Sequence, residues 1–147
     1  MTPQTPDFDP ATRKVEIESF GVLHGFPKTP GNVLLVDLQD RLRDPMEAPE
    51  MRHRTGLDPD VRHHVLATPG AVTVLQDTIG QIEALLRGYA DPHFKIVRVL
   101  VCCRGGKHRS VAIAQEVADV LNDRGIRTLV EHRDIDKPVV EKPAVQA

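Results

Sequence analysis

The segment VLVCCRGGKHRSVAIAQEVADVL, residues 99–121, constrains the fold more than any other part of the sequence. Apolar, mostly β-branched residues run up to Cys102 as they do in a buried strand, and the residues after Ser110 have the pattern of a helix. A short turn with two glycines and several basic side chains separates the two elements. Because a further strand follows within a few residues, the order of elements predicts a parallel strand pair with a right-handed crossover.

The remaining elements extend this unit into a sheet. Strands are predicted at 15–20, 32–38, 95–102 and 127–133, and helices at 59–67, 68–89 and 109–124. The sequence therefore predicts one α/β domain with about four mostly parallel strands, helices packed on the sheet, and a loop at a strand end that leads into a helix. The run NVLLVDL at 32–38 is nearly all apolar, which favours a strand covered on both faces over an edge strand.

Apolar residues of the second helix recur every three or four positions, which predicts one buried face. They are Val72, Leu75, Ile79, Ile82, Leu86 and Tyr89.

The bulk composition limits the classes of function. A chain of 147 residues suits one domain, predicted at 11–137 between proline-rich flexible tails at 1–10 and 138–147. The net charge of −2 indicates neither a nucleic-acid surface nor a membrane surface over the whole chain. No secretory signal or membrane-spanning stretch is evident, which predicts a cytoplasmic protein. The only cysteines, Cys102 and Cys103, are adjacent, a spacing that predicts no disulfide, metal site or cofactor.

The turn between strand and helix has the composition of an anion site. Gly105 and Gly106 can adopt the backbone angles that aim several amides at one point, and the positive end of the helix dipole lies beside them. Lys107, His108 and Arg109 add donors where cations are otherwise unfavourable, next to Arg104 and Ser110, which complete the predicted site. Alternatively, these residues only coat a solvated turn. The turn is not a Walker A loop, since no serine or threonine follows Lys107.

The same turn also has the spacing of a cysteine-dependent phosphatase. Five residues separate Cys103 from Arg109, so a thiolate at the base of the loop and a guanidinium at its rim could face one phosphate. Such an enzyme needs a general acid, for which Asp37, Asp91 and Asp134 are the candidates. The alternative reading of Cys103 is a small apolar residue that fills a strand end. Enzymatic activity is left open, with a non-catalytic role favoured.

The order of motifs resembles the RapZ carboxy-terminal domain family. The motifs are ESFGVLHGFP, the strand ending in VDL, TGLD at 55–58, CRGGKHRSVAIAQEVADVL and EHRD, and together they extend from Val15 to Lys137. The resemblance implies a stand-alone version of a domain that binds glucosamine-6-phosphate and contacts a regulatory RNA. It implies a sugar-phosphate site at Asp37, Cys103, Gly105, Gly106, Lys107, His108 and Arg109.

The chain also departs from the family pattern. Gln39 stands where the family has an arginine, and Arg104 replaces a threonine, which adds positive charge at the mouth of the loop. Eight basic residues against four acidic ones between Lys95 and Arg133 are compatible with an RNA partner, and a protein partner or a homo-oligomer is equally open. His132 and Arg133 end the last strand, where either they reach the same mouth or they are only a polar strand terminus.

Overall fold

Four parallel strands form a single sheet in a computed structural model of the chain, which describes residues 8–28, 31–42, 48–87 and 94–139. The strand order across the sheet is β2-β3-β1-β4, and helices α1 to α3 lie between the strands in sequence. The elements are β1 (Arg13–Gly21), β2 (Val33–Asp37), α1 (Pro59–Leu66), α2 (Ala71–Arg87), β3 (Lys95–Cys103), α3 (Arg109–Asp123) and β4 (Thr128–His132). The predicted α/β class is confirmed.

The main core lies between one face of the sheet and the helices. Alternate residues of the central strands point into it, such as Val15 and Ile17 of β1 and Val97 and Val99 of β3, because successive side chains of a strand face opposite sides. Ile113 and other apolar residues of α3 pack on them, and all are nearly or wholly buried. The intervening strand residues face the other side, where the described residues form only a small second cluster around Phe20.

Local signals set the helix boundaries. The carboxylate of Asp58 accepts a hydrogen bond from the Asp60 backbone nitrogen at 3.0 Å, and Pro59 occupies the first helical position of α1. Helix α3 ends just before Gly125, whose φ of 82° belongs to the left-handed region that favours glycine. In the described ranges, no helix is long and apolar enough to cross a bilayer.

Two sequence predictions about apolar patterns are wrong. Strand β2 is an edge strand, and its residues Val33 and Leu35 are 38% and 48% exposed instead of covered on both faces. Val72 does not belong to the buried face of α2, since it is 60% exposed, whereas Val74 and Thr78 are buried there. An apolar sequence pattern cannot report whether a neighbour covers a given face. Tyr89 lies outside the described residues.

The neighbour of the last strand was also predicted incorrectly. Strand β4 pairs with β1, which separates it from β3 and from the loop that β3 feeds. All four strands nevertheless run in the same direction, so their carboxyl ends share one edge of the sheet. Gly21, Asp37, Cys103 and His132 are the last strand residues along that edge. The predicted tails fall mostly outside the described residues.

Candidate functional site

The loop from Arg104 to His108 curls around the thiol of Cys103. The backbone nitrogen of Gly106 donates to the Cys103 Sγ at 3.3 Å, and this Sγ lies 3.2 Å from the hydroxyl of Ser110 in the first turn of α3. Cys103 and Ser110 are both buried. The thiol thus forms the floor of a short loop that begins where β3 ends and closes where α3 begins.

Close backbone contacts hold this loop against the end of β1. A Cβ atom added to Gly106 would lie 2.3 Å from the backbone nitrogen of Gly21, and one added to Gly21 would lie 2.3 Å from the carbonyl carbon of Gly105. Gly106 also has a φ of 77°, which L side chains rarely adopt. Only glycine therefore permits the two chain segments to approach this closely.

Two further backbone hydrogen bonds fasten the outer side of the loop. The Leu23 nitrogen donates to the Arg104 carbonyl at 3.1 Å, and the Gly56 nitrogen donates to the Lys107 carbonyl at 2.8 Å. Gly56 packs so tightly that an added Cβ would lie 2.4 Å from the His108 carbonyl oxygen. Gly21 and Gly56 belong to the ESFG and TGLD motifs, yet sequence reasoning assigned them no role, because a close approach between distant segments leaves no local signal.

The side chain of Asp134 also anchors the end of β1, next to the loop. This fully buried carboxylate accepts a hydrogen bond from the Gly21 nitrogen at 2.7 Å and forms ion pairs with Arg133 at 2.9 Å and Lys137 at 2.6 Å. Burial alone would raise the pKa of Asp134, but the hydrogen bonds from Arg133, Gly21 and Lys137 outweigh it and lower the pKa to about 2. Asp134 is therefore ionised at neutral pH and acts as an acceptor rather than as a general acid.

The basic side chains of the loop bind backbone carbonyls in this structure. Arg109 is only 4% exposed, and its Nη1 donates to the carbonyls of Leu38, Gln39 and Arg41, all just beyond the end of β2. Lys107 Nζ donates to two carbonyls after β4, those of Ile135 and Lys137. The His108 Nε2 lies 2.9 Å from the Arg52 carbonyl oxygen.

The three side chains thus connect the loop and the start of α3 to three surrounding segments, while the positive charges of Lys107 and Arg109 stay beside the loop. Arg104 differs from them because it is exposed. This residue places a guanidinium at the mouth of the loop without burying it.

The structure places Asp37 beside Cys102 rather than beside Cys103. Asp37 is in register with Cys102, on the face of the sheet opposite the helices. Its carboxylate accepts hydrogen bonds from the Gln39 backbone nitrogen at 3.0 Å and the Gln39 amide at 3.1 Å, and the backbone bond is the main cause of its lowered pKa. Burial, with Asp37 nearby, raises the pKa of the Cys102 thiol to about 12, so this cysteine remains protonated.

His132 and Arg133 have different surroundings although they are adjacent. The His132 ring faces α3, with Nδ1 2.7 Å from the Ser19 hydroxyl and Nε2 3.0 Å from the Gln115 Oε1, and burial lowers its pKa. Arg133 pairs with Asp134, and its Nη2 donates to the Gly25 carbonyl at 2.5 Å. Arg133 thus connects to the loop through Asp134 and Gly21, whereas His132 belongs to a polar network under α3.

The start of α3 has the electrostatics of an anion receptor. No side chain caps this helix at His108, and its first turn contains no acidic residue, so the dipole of a 15-residue helix acts at the loop without a carboxylate to offset it. The Gly106 amide lies at the Cys103 thiol, to which it donates. The positive end of a helix dipole favours an anion over a neutral or cationic ligand.

Comparison with known proteins gives a consistent family assignment. The family model described as the RapZ C-terminal domain matches residues 13–136. The chain is 36% identical over 129 residues to a nucleotide-binding protein of Corynebacterium jeikeium, covering 88% of this chain and 43% of that protein. It is 40% identical over 126 residues to one of Cutibacterium acnes, covering 83% and 41%. The chain spans about two fifths of the length of these relatives.

Proposed function

The chain belongs to the RapZ C-terminal domain family, and we propose that it is a regulatory domain that binds a phosphorylated metabolite of the amino-sugar phosphate class. The observation that carries this proposal is the loop from Arg104 to His108, held by Gly21 and Gly56 in front of an uncapped helix. A receptor built before its ligand arrives loses little conformational entropy on binding. The phosphate is proposed to occupy the loop, and the sugar to lie toward the edge where the strands end.

Relatives of this chain are called nucleotide-binding proteins, but that name describes chains more than twice as long. In the part that this chain shares with them, the loop lacks the hydroxyl side chain that a Walker A motif places after its lysine. We therefore infer that the ligand of this domain is not a nucleoside triphosphate.

The output of the proposed sensor is an interaction with RNA or protein. Several of the basic residues counted in the sequence are engaged: Arg98 forms an ion pair with Glu16, Arg124 with Glu83, and Arg109 is buried. Fewer basic side chains are thus left to bind the phosphates of an RNA than the sequence count suggests. This favours a protein partner over RNA.

Thermal unfolding with ligand tests the proposed specificity. Glucosamine-6-phosphate at a hundredfold excess over its dissociation constant is expected to stabilise the protein by about 2.7 kcal/mol. Inorganic phosphate should give a smaller effect because it lacks the sugar, and glucosamine should give none because it lacks the phosphate that the loop is proposed to bind. Differential scanning calorimetry with the three compounds provides the measurement.

A charge placed in the loop supplies the control for this experiment. Gly105→Asp adds a carboxylate at a position where a Cβ meets nothing within 4 Å, so the variant should fold but repel the phosphate. Gly80→Asp on the outer side of α2 also has open space around its Cβ, and it should keep the full ligand effect. Equal stabilisation by inorganic phosphate and glucosamine-6-phosphate would contradict the proposed ligand class.

A cysteine phosphatase is the second candidate, because the Cys103 Sγ lies within hydrogen-bond distance of both Ser110 Oγ and Gly106 N. The candidate acids argue against it. Asp37 and Asp134 both have lowered pKa values, which removes the proton that a leaving oxygen would need, and Asp91 lies outside the described residues.

We expect the wild-type protein to hydrolyse phenyl phosphate no faster than Cys103→Ser, because neither Asp37 nor Asp134 keeps a proton for the leaving phenolate. The release of phenol, followed by absorbance at equal protein concentrations, measures both rates. If the wild type turns over the substrate and Cys103→Ser does not, the phosphatase proposal is correct and the sensor proposal is wrong.

A further inference from the structure

The face of the sheet opposite the helices, which we call the open face, is exposed in the described part of the chain. All-parallel sheets almost always have both faces covered. Here Leu35 at one margin and Leu129 at the other are each 48% exposed, and the apolar cluster on this side contains only Phe20, Leu100 and Cys102, with Val22 packed against it. A face with this composition is typical of a surface that a partner covers.

Two adjacent carboxylates lie on the open face, one on the central strand β1 and one on the edge strand β4. Glu18 of β1 is in register with Glu131 of β4, and neither forms an ion pair with any described residue. Glu16, one position along the same face, instead pairs with Lys14 at 3.0 Å and with Arg98 at 3.8 Å. Burial and the neighbouring Glu131 raise the pKa of Glu18, and the nearby Arg133 offsets this rise only in part.

The two carboxylates lie in a groove with apolar side chains on both sides. The groove has a volume of about 560 Å³, and Leu100 of β3 and Leu129 of β4 contribute to its walls together with Glu18 and Glu131. Lys28 and Arg98 also line the groove, and Arg98 is paired with Glu16. Arg133, already paired with Asp134, is the cation near Glu18. Across the sheet, Leu35 and Leu100 are followed in register by Glu18 and Glu131, and Leu129 lies two residues before Glu131 on β4.

We propose that the open face binds a basic segment of a protein partner, in which lysine or arginine side chains alternate with aliphatic ones. A cation seated between Glu18 and Glu131, which stand on strands about 4.8 Å apart, would supply the missing counter-charge. Flanking aliphatic groups would cover Leu100 and Leu129. The proposal is independent of the ligand loop.

Charge complementarity also argues against other occupants. A second copy docked by a two-fold axis through this face would bring two acidic centres together, and RNA would oppose its phosphates to the same carboxylates. Neither arrangement provides the counter-charge that Glu18 and Glu131 lack.

Selection from a phage-displayed library of random dodecapeptides tests the proposal with the full chain. The enriched peptides should contain at least two lysine or arginine residues flanked by Leu, Ile, Val or Phe. Their affinity, measured by fluorescence anisotropy on synthetic labelled peptides, should fall at least tenfold in Glu18→Gln/Glu131→Gln. It should not change in Asp77→Asn/Asp123→Asn, which removes two exposed carboxylates on helices. Matching thermal unfolding of both variants shows that they fold.

Three results would overturn the proposal. Enrichment of peptides without cations would be one, and unchanged binding to Glu18→Gln/Glu131→Gln would be the second. The third is a dimer in sedimentation velocity that Leu129→Asp dissociates, since a second copy would then occupy the face.

Discussion

Replacement of Gly106 by alanine is expected to lower the free energy of unfolding by about 2–5 kcal/mol and to abolish the stabilisation by glucosamine-6-phosphate. Alanine at a φ of 77° is strained, and its Cβ would lie 2.3 Å from the backbone nitrogen of Gly21. The nearest atoms are backbone and cannot rotate away as a side chain would. The loop must therefore move off the end of β1, which also moves the Gly106 amide away from the Cys103 Sγ.

Urea unfolding monitored by circular dichroism measures the loss of stability, and calorimetry with the ligand measures the loss of binding. Gly105→Ala is the matched control, because an added Cβ meets nothing within 4 Å there and Gly105 has no positive φ. The free energy of unfolding of this variant should lie within about 0.5 kcal/mol of the wild-type value. If Gly106→Ala keeps both stability and ligand response, the loop is not held by its contact with Gly21.

Replacement of Asp134 by alanine is expected to cost about 3 kcal/mol of stability at pH 7. The change removes the acceptor of the buried Gly21 nitrogen and the partner of two cations, Arg133 and Lys137. Denaturant unfolding gives the cost directly. Asp136→Ala provides the control, since Asp136 is exposed two residues further along the chain.

The stabilisation by Asp134 should also depend on pH in a defined direction. Its pKa is about 2 in the folded protein and 3.8 in the unfolded chain. A lowered folded pKa means that the carboxylate stabilises the fold fully above about pH 4 and loses this contribution as the pH falls toward 2. The contribution is roughly 2 kcal/mol.

Unfolding experiments from pH 6 down to pH 2 should show the wild type losing stability relative to Asp134→Ala across that window. A constant difference between the two proteins would contradict the assignment of Asp134 as the ionised acceptor.

The sequence predicted the local unit that carries the site. The apolar run before Cys103, the glycine pair and the helix after Ser110 specify strand, loop and helix without reference to other segments, because backbone preferences and periodicity are properties of neighbouring residues. The structure has β3 and α3 where this reasoning predicts them. The same unit carried the resemblance that the family model confirms.

Contacts between distant segments were beyond sequence reasoning. Nothing near Gly21 in the sequence indicates that it touches Gly106, and Asp134 was considered as a general acid although the structure makes it an ionised acceptor for the Gly21 nitrogen. The edge position of β2 and the pairing of β4 with β1 were missed for the same reason. The strand order depends on which distant segments pair with each other, and no local sequence pattern reports that.

The amino-acid sequence by itself determined the element types, the parallel α/β class and the composition of the loop. Each of these depends on residues that are close together in the sequence. Only the tertiary structure decided how the loop is held, where Arg109 and Asp37 point, and that the Glu18–Glu131 pair remains on an uncovered face. These features depend on the free energy of packing and desolvation between segments up to about a hundred residues apart, which no local pattern encodes.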